Sequence, residues 1–60
     1  MDLLIQSSTR YSDWTNVTRV TDGAKMSAQM MLSYMESAQR MLPNHRIRAV
    51  DEDGRLIDKL

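Results

Sequence analysis

Gly23-Ala24-Lys25-Met26-Ser27-Ala28-Gln29-Met30-Met31-Leu32-Ser33-Tyr34-Met35-Glu36-Ser37-Ala38-Gln39-Arg40-Met41-Leu42 is the stretch that decides the fold. It holds no proline and no β-branched residue, and alanine, methionine, leucine and glutamine, which dominate it, are strong helix formers. Ala24, Ala28, Met31, Met35, Ala38 and Leu42 follow the i, i+4, i+7 rhythm of one apolar helix face. Lys25, Gln29, Ser33, Glu36 and Arg40 fall on the other side, with Glu36 and Arg40 spaced as a supportive i,i+4 pair. Pro43 ends the element by biasing Leu42 away from helical angles. Thr21 or Asp22 is the expected N-cap, which gives a helix over about residues 23–42.

Both flanks of this helix read as strands. Residues 2–20 are rich in β-branched and hydroxyl side chains, which suit a pleated, half-buried surface. Tyr11-Ser12-Asp13-Trp14 interrupts them with turn formers, so the expectation is a hairpin with strands over about 2–10 and 15–20. Leu3 and Ile5 share one face of the first strand, while Gln6, Ser8 and Arg10 take the other. Val17 and Val20 have opposite parity, which requires either an outward valine or a bulge. After the helix, His45-Arg46-Ile47-Arg48-Ala49-Val50 alternates again, and Arg55-Leu56-Ile57-Asp58-Lys59 returns after the Asp51-Glu52-Asp53-Gly54 turn. These strands are expected over about 45–50 and 55–59. A three-residue loop from Glu52 to Gly54 pairs Asp51 with Arg55, Ala49 with Ile57 and Arg48 with Asp58. A two-residue loop would set Arg48 against Lys59, a destabilising like-charge pair, so the longer loop is favoured.

The order is therefore ββαββ. A helix of that length spans about 30 Å, enough to return the chain across the sheet. With a right-handed crossover the third strand falls beside the first, giving a mostly antiparallel α+β sheet of order 2-1-3-4 with one helix on one face. All of residues 1–60 are expected to form a single small domain.

Composition narrows the functional classes. The sixty residues contain eight basic and eight acidic side chains, one histidine and no cysteine. No disulfide can staple so thin a core, a lone His45 cannot build a His/Cys metal site, and neutrality argues against a dedicated polyanion binder. There is neither an apolar run long enough to span a bilayer nor a signal peptide, so a complete, soluble, cytoplasmic protein without membrane contact is expected. Asn16-Val17-Thr18 matches a glycosylation acceptor, which without a secretory signal is read as ordinary strand sequence.

No catalytic constellation emerges. Asp51-Glu52-Asp53-Gly54 places its glycine at the fourth position and lacks the later glutamate of a calcium loop, so it is read as a solvated turn. The two glycines, Gly23 and Gly54, are isolated, and nothing resembles a nucleophile elbow or a phosphate-cradling loop. No enzyme activity, cofactor or metal is expected.

Two candidate binding surfaces remain. Five of the six methionines lie in the helical stretch, and Met30, Tyr34 and Met41 form a flank beside the packing face. Exposed methionines make adaptable contact surfaces, for a partner or for a homodimer. The uncovered sheet face should carry Gln6, Ser8, Arg10, Arg46 and Arg48, joined by Trp14 if Val17 points inward. Arginine beside an aromatic is the composition of protein hot spots and of single-strand stacking platforms. The bland alternative pairs these arginines with Asp51 and Asp58 on a solvated face.

Trp14-Thr15-Asn16-Val17 after an N-terminal strand, the Ala- and Met-rich helix, and Pro43-Asn44-His45-Arg46-Ile47-Arg48-Ala49-Val50-Asp51-Glu52-Asp53-Gly54-Arg55 together resemble the short accessory proteins encoded in bacteriophage genomes. The resemblance implies an interaction protein acting in the host bacterial cytoplasm, binding and inhibiting a host enzyme or defence complex as anti-CRISPR proteins do. Nucleic-acid binding through the Arg/Trp face is the alternative. The chain lacks the acidic excess of a nucleic-acid mimic.

Overall fold

Alternating side chains and their turn residues set four strands and one helix. The computed structural model describes residues 1–21 and 26–60. Strand β1 is Leu3–Thr9, β2 is Ser12–Val20, β3 is Arg46–Asp51 and β4 is Leu56–Lys59, with helix α1 over Ala28–Met41 between β2 and β3. The sheet order is β2-β1-β3-β4 and every pairing is antiparallel, so this is the ββαββ α+β architecture with its 2-1-3-4 order.

The helix begins later than its composition suggests. Gly23 to Lys25 and the Asp22 cap lie outside the described residues, but Met26 and Ser27 precede the first turn and Thr21 lies in a turn. Ser27 is the N-cap, its hydroxyl accepting the Met30 N–H at 3.2 Å. A serine satisfies an orphan N–H at a helix end better than it serves the interior, so α1 starts at Ala28. At the other end Leu42, with φ −131°, has left helical geometry before Pro43. Gln39 fastens that end to the connection before β3, its amide nitrogen lying 3.0 Å from the Leu42 carbonyl and 2.9 Å from that of His45.

Helix α1 packs on β1 and β3. Leu3, Ile5, Ile47 and Ala49 meet Met31, Met35 and Ala38, and Val17, Val20 and Met26 close the margin. Ala28 is exposed and Leu42 only half-buried, so the packing stripe is narrower than the six-residue face read from periodicity.

The β1–β2 hairpin turns at Arg10–Tyr11, ahead of the expected Tyr11–Trp14 turn. Thr9 and Ser12 pair across it, their hydroxyls 2.9 Å apart, and Thr9 Oγ1 also accepts the Tyr11 N–H at 3.1 Å. These short polar side chains satisfy the turn backbone, so strand pairing resumes at once. The longer β2 then absorbs two register shifts. Ile5 faces Thr18 but Gln6 faces Asn16, which leaves Val17 as an extra residue. That bulge resolves the parity conflict, because it lets Val17 and Val20 both pack on the core.

The last hairpin keeps its three-residue loop. Gly54 has φ +83°, and the Asp51 N–H donates to the Arg55 carbonyl at 3.0 Å. Val50 then faces Leu56, but the register shifts at Ile57, so Ala49 meets Asp58 and Arg48 meets Lys59 instead of the expected Ile57 and Asp58. The like-charge juxtaposition enters through a bulge, and its cost is relieved because the Arg48 side chain turns away, across the sheet.

Candidate functional site

Strand parity puts Gln6 and Ser8 of β1 on the face opposite α1, together with their cross-strand neighbours Arg48 and Arg46. The second β2 bulge lies between the Ser7–Thr15 and Thr9–Ser12 pairs, so Asp13 and Trp14 together oppose Ser8. Trp14 emerges on this face, half-buried, while Val17 points to the core.

The decisive geometry is a stack that crosses three strands. The Arg48 guanidinium carbon lies 4.1 Å from the Trp14 ring centroid, and that of Arg46 lies 5.3 Å from it. Trp14 is on β2, the arginines are on β3, and β1 runs between them. Neighbouring strands are about 4.8 Å apart, so the indole must extend over β1 to reach the arginines. Ser8, opposite the Asp13–Trp14 bulge, is 1% exposed although it belongs to the open face, and its hydroxyl has no hydrogen-bond partner. A polar ladder runs alongside: Arg48 Nε donates to Gln6 Oε1 at 2.9 Å, and Gln6 Nε2 donates to Asn16 Oδ1 at 2.9 Å. The guanidinium-on-indole contact is favourable because the ring face is electron-rich.

No protein-family model matches this chain, and neither the curated proteins nor the solved structures contain a match to it.

Among the described residues no carboxylate forms an ion pair with Arg46 or Arg48. Asp51 is buried, and its Oδ1 accepts the N–H groups of Asp53 at 2.8 Å and Arg55 at 2.9 Å, which anchors the β3–β4 turn. Asp58 accepts the Lys59 N–H. The expectation that Asp51 and Asp58 pair with Arg46 and Arg48 is thus overturned: one carboxylate holds a turn, and the bulge at Ile57 moves the other out of register. Among the described residues the ion pair is Arg19–Asp2, 2.6 Å long and at the far end of the β1–β2 pair. The hydrogen bond from Arg19 to Asp2 raises the arginine pKa above its already high ordinary value.

The other proposed contact residues separate. Arg10 is exposed in the β1–β2 turn, beyond the sheet face proper. Met30, Tyr34 and Met41 are all exposed on α1, with Met41 at 75%. They form a flank of the helical layer, on the opposite side of the sheet from Trp14. The seven residues therefore belong to two surfaces and a hairpin tip. Gln6 and Ser8 lie on the face that alternation assigns them, but Ser8 is buried instead of emerging to solvent, and Asn16 joins Gln6 only through the bulged register of β2. Among the described residues no helix is long and apolar enough to cross a membrane, and no cluster of potential metal ligands occurs.

Proposed function

We propose that this protein is a small binding protein that engages a protein partner through the Arg46–Trp14–Arg48 face and performs no chemistry of its own. The observation that carries the reading is the cross-strand stack, with two guanidinium groups within 5.3 Å of one indole centroid. Tryptophan and arginine dominate binding hot spots because they combine large contact area with directed polar groups. Here their rotamers are already constrained by one another and by Gln6, which lowers the ordering cost of association.

The likeness to phage accessory proteins supports a bacterial host protein as the partner, bound in the cytoplasm, with inhibition of an enzyme or defence complex as the outcome. Affinity capture from lysates of several bacterial hosts tests this directly. Wild-type protein should retain a stoichiometric partner that Trp14→Ala and Arg46→Glu/Arg48→Glu both lose while remaining folded. Recovery of chaperones alone across those hosts would refute it. The exposure of Met30, Tyr34 and Met41 supports a second use, self-association through the helix flank. Sedimentation should then show a dimer that Met30→Lys/Met41→Lys dissociates.

A further inference from the structure

We propose that Arg46 and Arg48 receive carboxylate groups from an acidic segment of the partner. This inference rests on the protein-binding reading above and specifies the chemistry of that contact. Both guanidinium groups gather on one indole, and among the described residues no carboxylate lies within 4.0 Å of either to form an ion pair. Asp13 adjoins Trp14 in sequence and pairs with neither arginine. Asp51, Asp58 and Asp2 are engaged elsewhere.

Stacking settles what each guanidinium can still do. Attraction to the ring occupies no hydrogen-bond acceptor, so N–H donors of both guanidinium groups remain for the two oxygens of a carboxylate. Arg48 uses Nε on Gln6, which fixes the plane of its fork. Ser8 adds an independent sign of an unmet partner at the same place: its hydroxyl is buried, unbonded, and cross-strand from Arg46. A carboxylate oxygen entering beside the indole would give this donor an acceptor and would shift the ring.

Nucleic acid fits the same surface less well. A base needs an open aromatic face. Arg48 occupies one face of Trp14 at 4.1 Å, while Tyr11 is in the hairpin turn and Tyr34 on the helix. A neutral chain also lacks the surplus cations that would follow a phosphate backbone.

The test titrates the full chain at low salt with a hexaglutamate peptide and, separately, with a short oligothymidylate, following Trp14 fluorescence. Hexaglutamate should saturate the signal, salt should weaken it, and Arg46→Ala/Arg48→Ala should abolish it. Arg48→Lys keeps the charge but loses the fork, and should weaken binding about tenfold. Absence of saturation, tighter binding of oligothymidylate, or an unchanged response in the double variant would each overturn the proposal. If hexaglutamate fails while partner capture still depends on Trp14, the carboxylate is rejected and the partner reading stands. If capture is indifferent to Trp14, Arg46 and Arg48, the reading itself falls.

Discussion

The two faces of one four-stranded sheet are held by different forces. Under α1, Ile5, Ile47 and Ala49 are at most 1% exposed and pack against Met35, which is fully buried. On the other face, the Trp14 stack and the Gln6 ladder cover β1 with side chains that keep contact with water. The first face obtains its stability from area removed from water, a force without direction. The second buries Val50 near one end but adds ring-to-cation geometry and hydrogen bonds, which are weaker individually but fix orientation. A thin domain can thus keep one side for cohesion and leave the other ordered and accessible.

The sharpest way to break this contrast is Met35→Ala. Truncating a fully buried methionine costs about 2–5 kcal/mol, comparable with the whole stability of a domain this small. Chemical denaturation should show the variant largely unfolded at room temperature. If it melts like the wild type, α1 is not the source of cohesion.

Trp14→Ala addresses the open face. It removes two cation–π contacts and half-buried aromatic area, an expected loss of about 1–2 kcal/mol with the fold retained. The denaturation midpoint measures the loss, and far-ultraviolet circular dichroism checks that the sheet persists. A loss as large as that of Met35→Ala would erase the distinction between the faces.

Ser8→Ala should move stability in the opposite direction. An unsatisfied buried hydroxyl is penalised by its desolvation, so replacing it by a methyl group should raise stability by up to about 1 kcal/mol. A drop in the thermal midpoint would mean that the hydroxyl has a partner in solution.

Arg19→Ala is expected to leave the denaturation midpoint unchanged. Arg19 is 64% exposed although Asp2 is only 21% exposed, so solvent and salt screen the guanidinium end, and such pairs contribute little. Because Arg19 has its pKa raised by Asp2, its charge contribution is fully present below the unfolded arginine pKa and lost only as pH rises through the higher folded value. Between neutrality and moderately alkaline pH, titration of Arg19 should therefore produce no change in stability. A pH-dependent difference between wild type and Arg19→Ala in that window would contradict this.

Much of the frame is legible because local signals agree with one another. The absence of β-branched residues between Gly23 and Leu42, the stop at Pro43, and the turn at Asp51–Gly54 identify the helix and the last hairpin. Crossover handedness then yields the strand order. Ser27 in place of Thr21 or Asp22 as the helix cap shows the limit of such signals. Several nearby residues can cap equally well, and the packing of Met31 and Met35 on the sheet determines which turn is the first.

The candidate face was only half legible. Alternation assigns Arg46 and Arg48 to the open side, and arginine with tryptophan suggests contact chemistry. Residue order alone does not say that β2 bulges at Val17 and again opposite Ser8, or that β4 bulges at Ile57. A one-residue bulge changes local energy little, but it reverses which side chains share a face, so distant packing decides it.

Periodicity, turn chemistry and simple counting are enough to yield the ββαββ order, the apolar helix stripe and the neutral charge. That Trp14 reaches across β1 to Arg46 and Arg48, and that Asp51 serves a turn instead of those arginines, follows from packing. Side chains from three strands meet there, and a meeting of that kind depends on register, which is set only when the sheet packs.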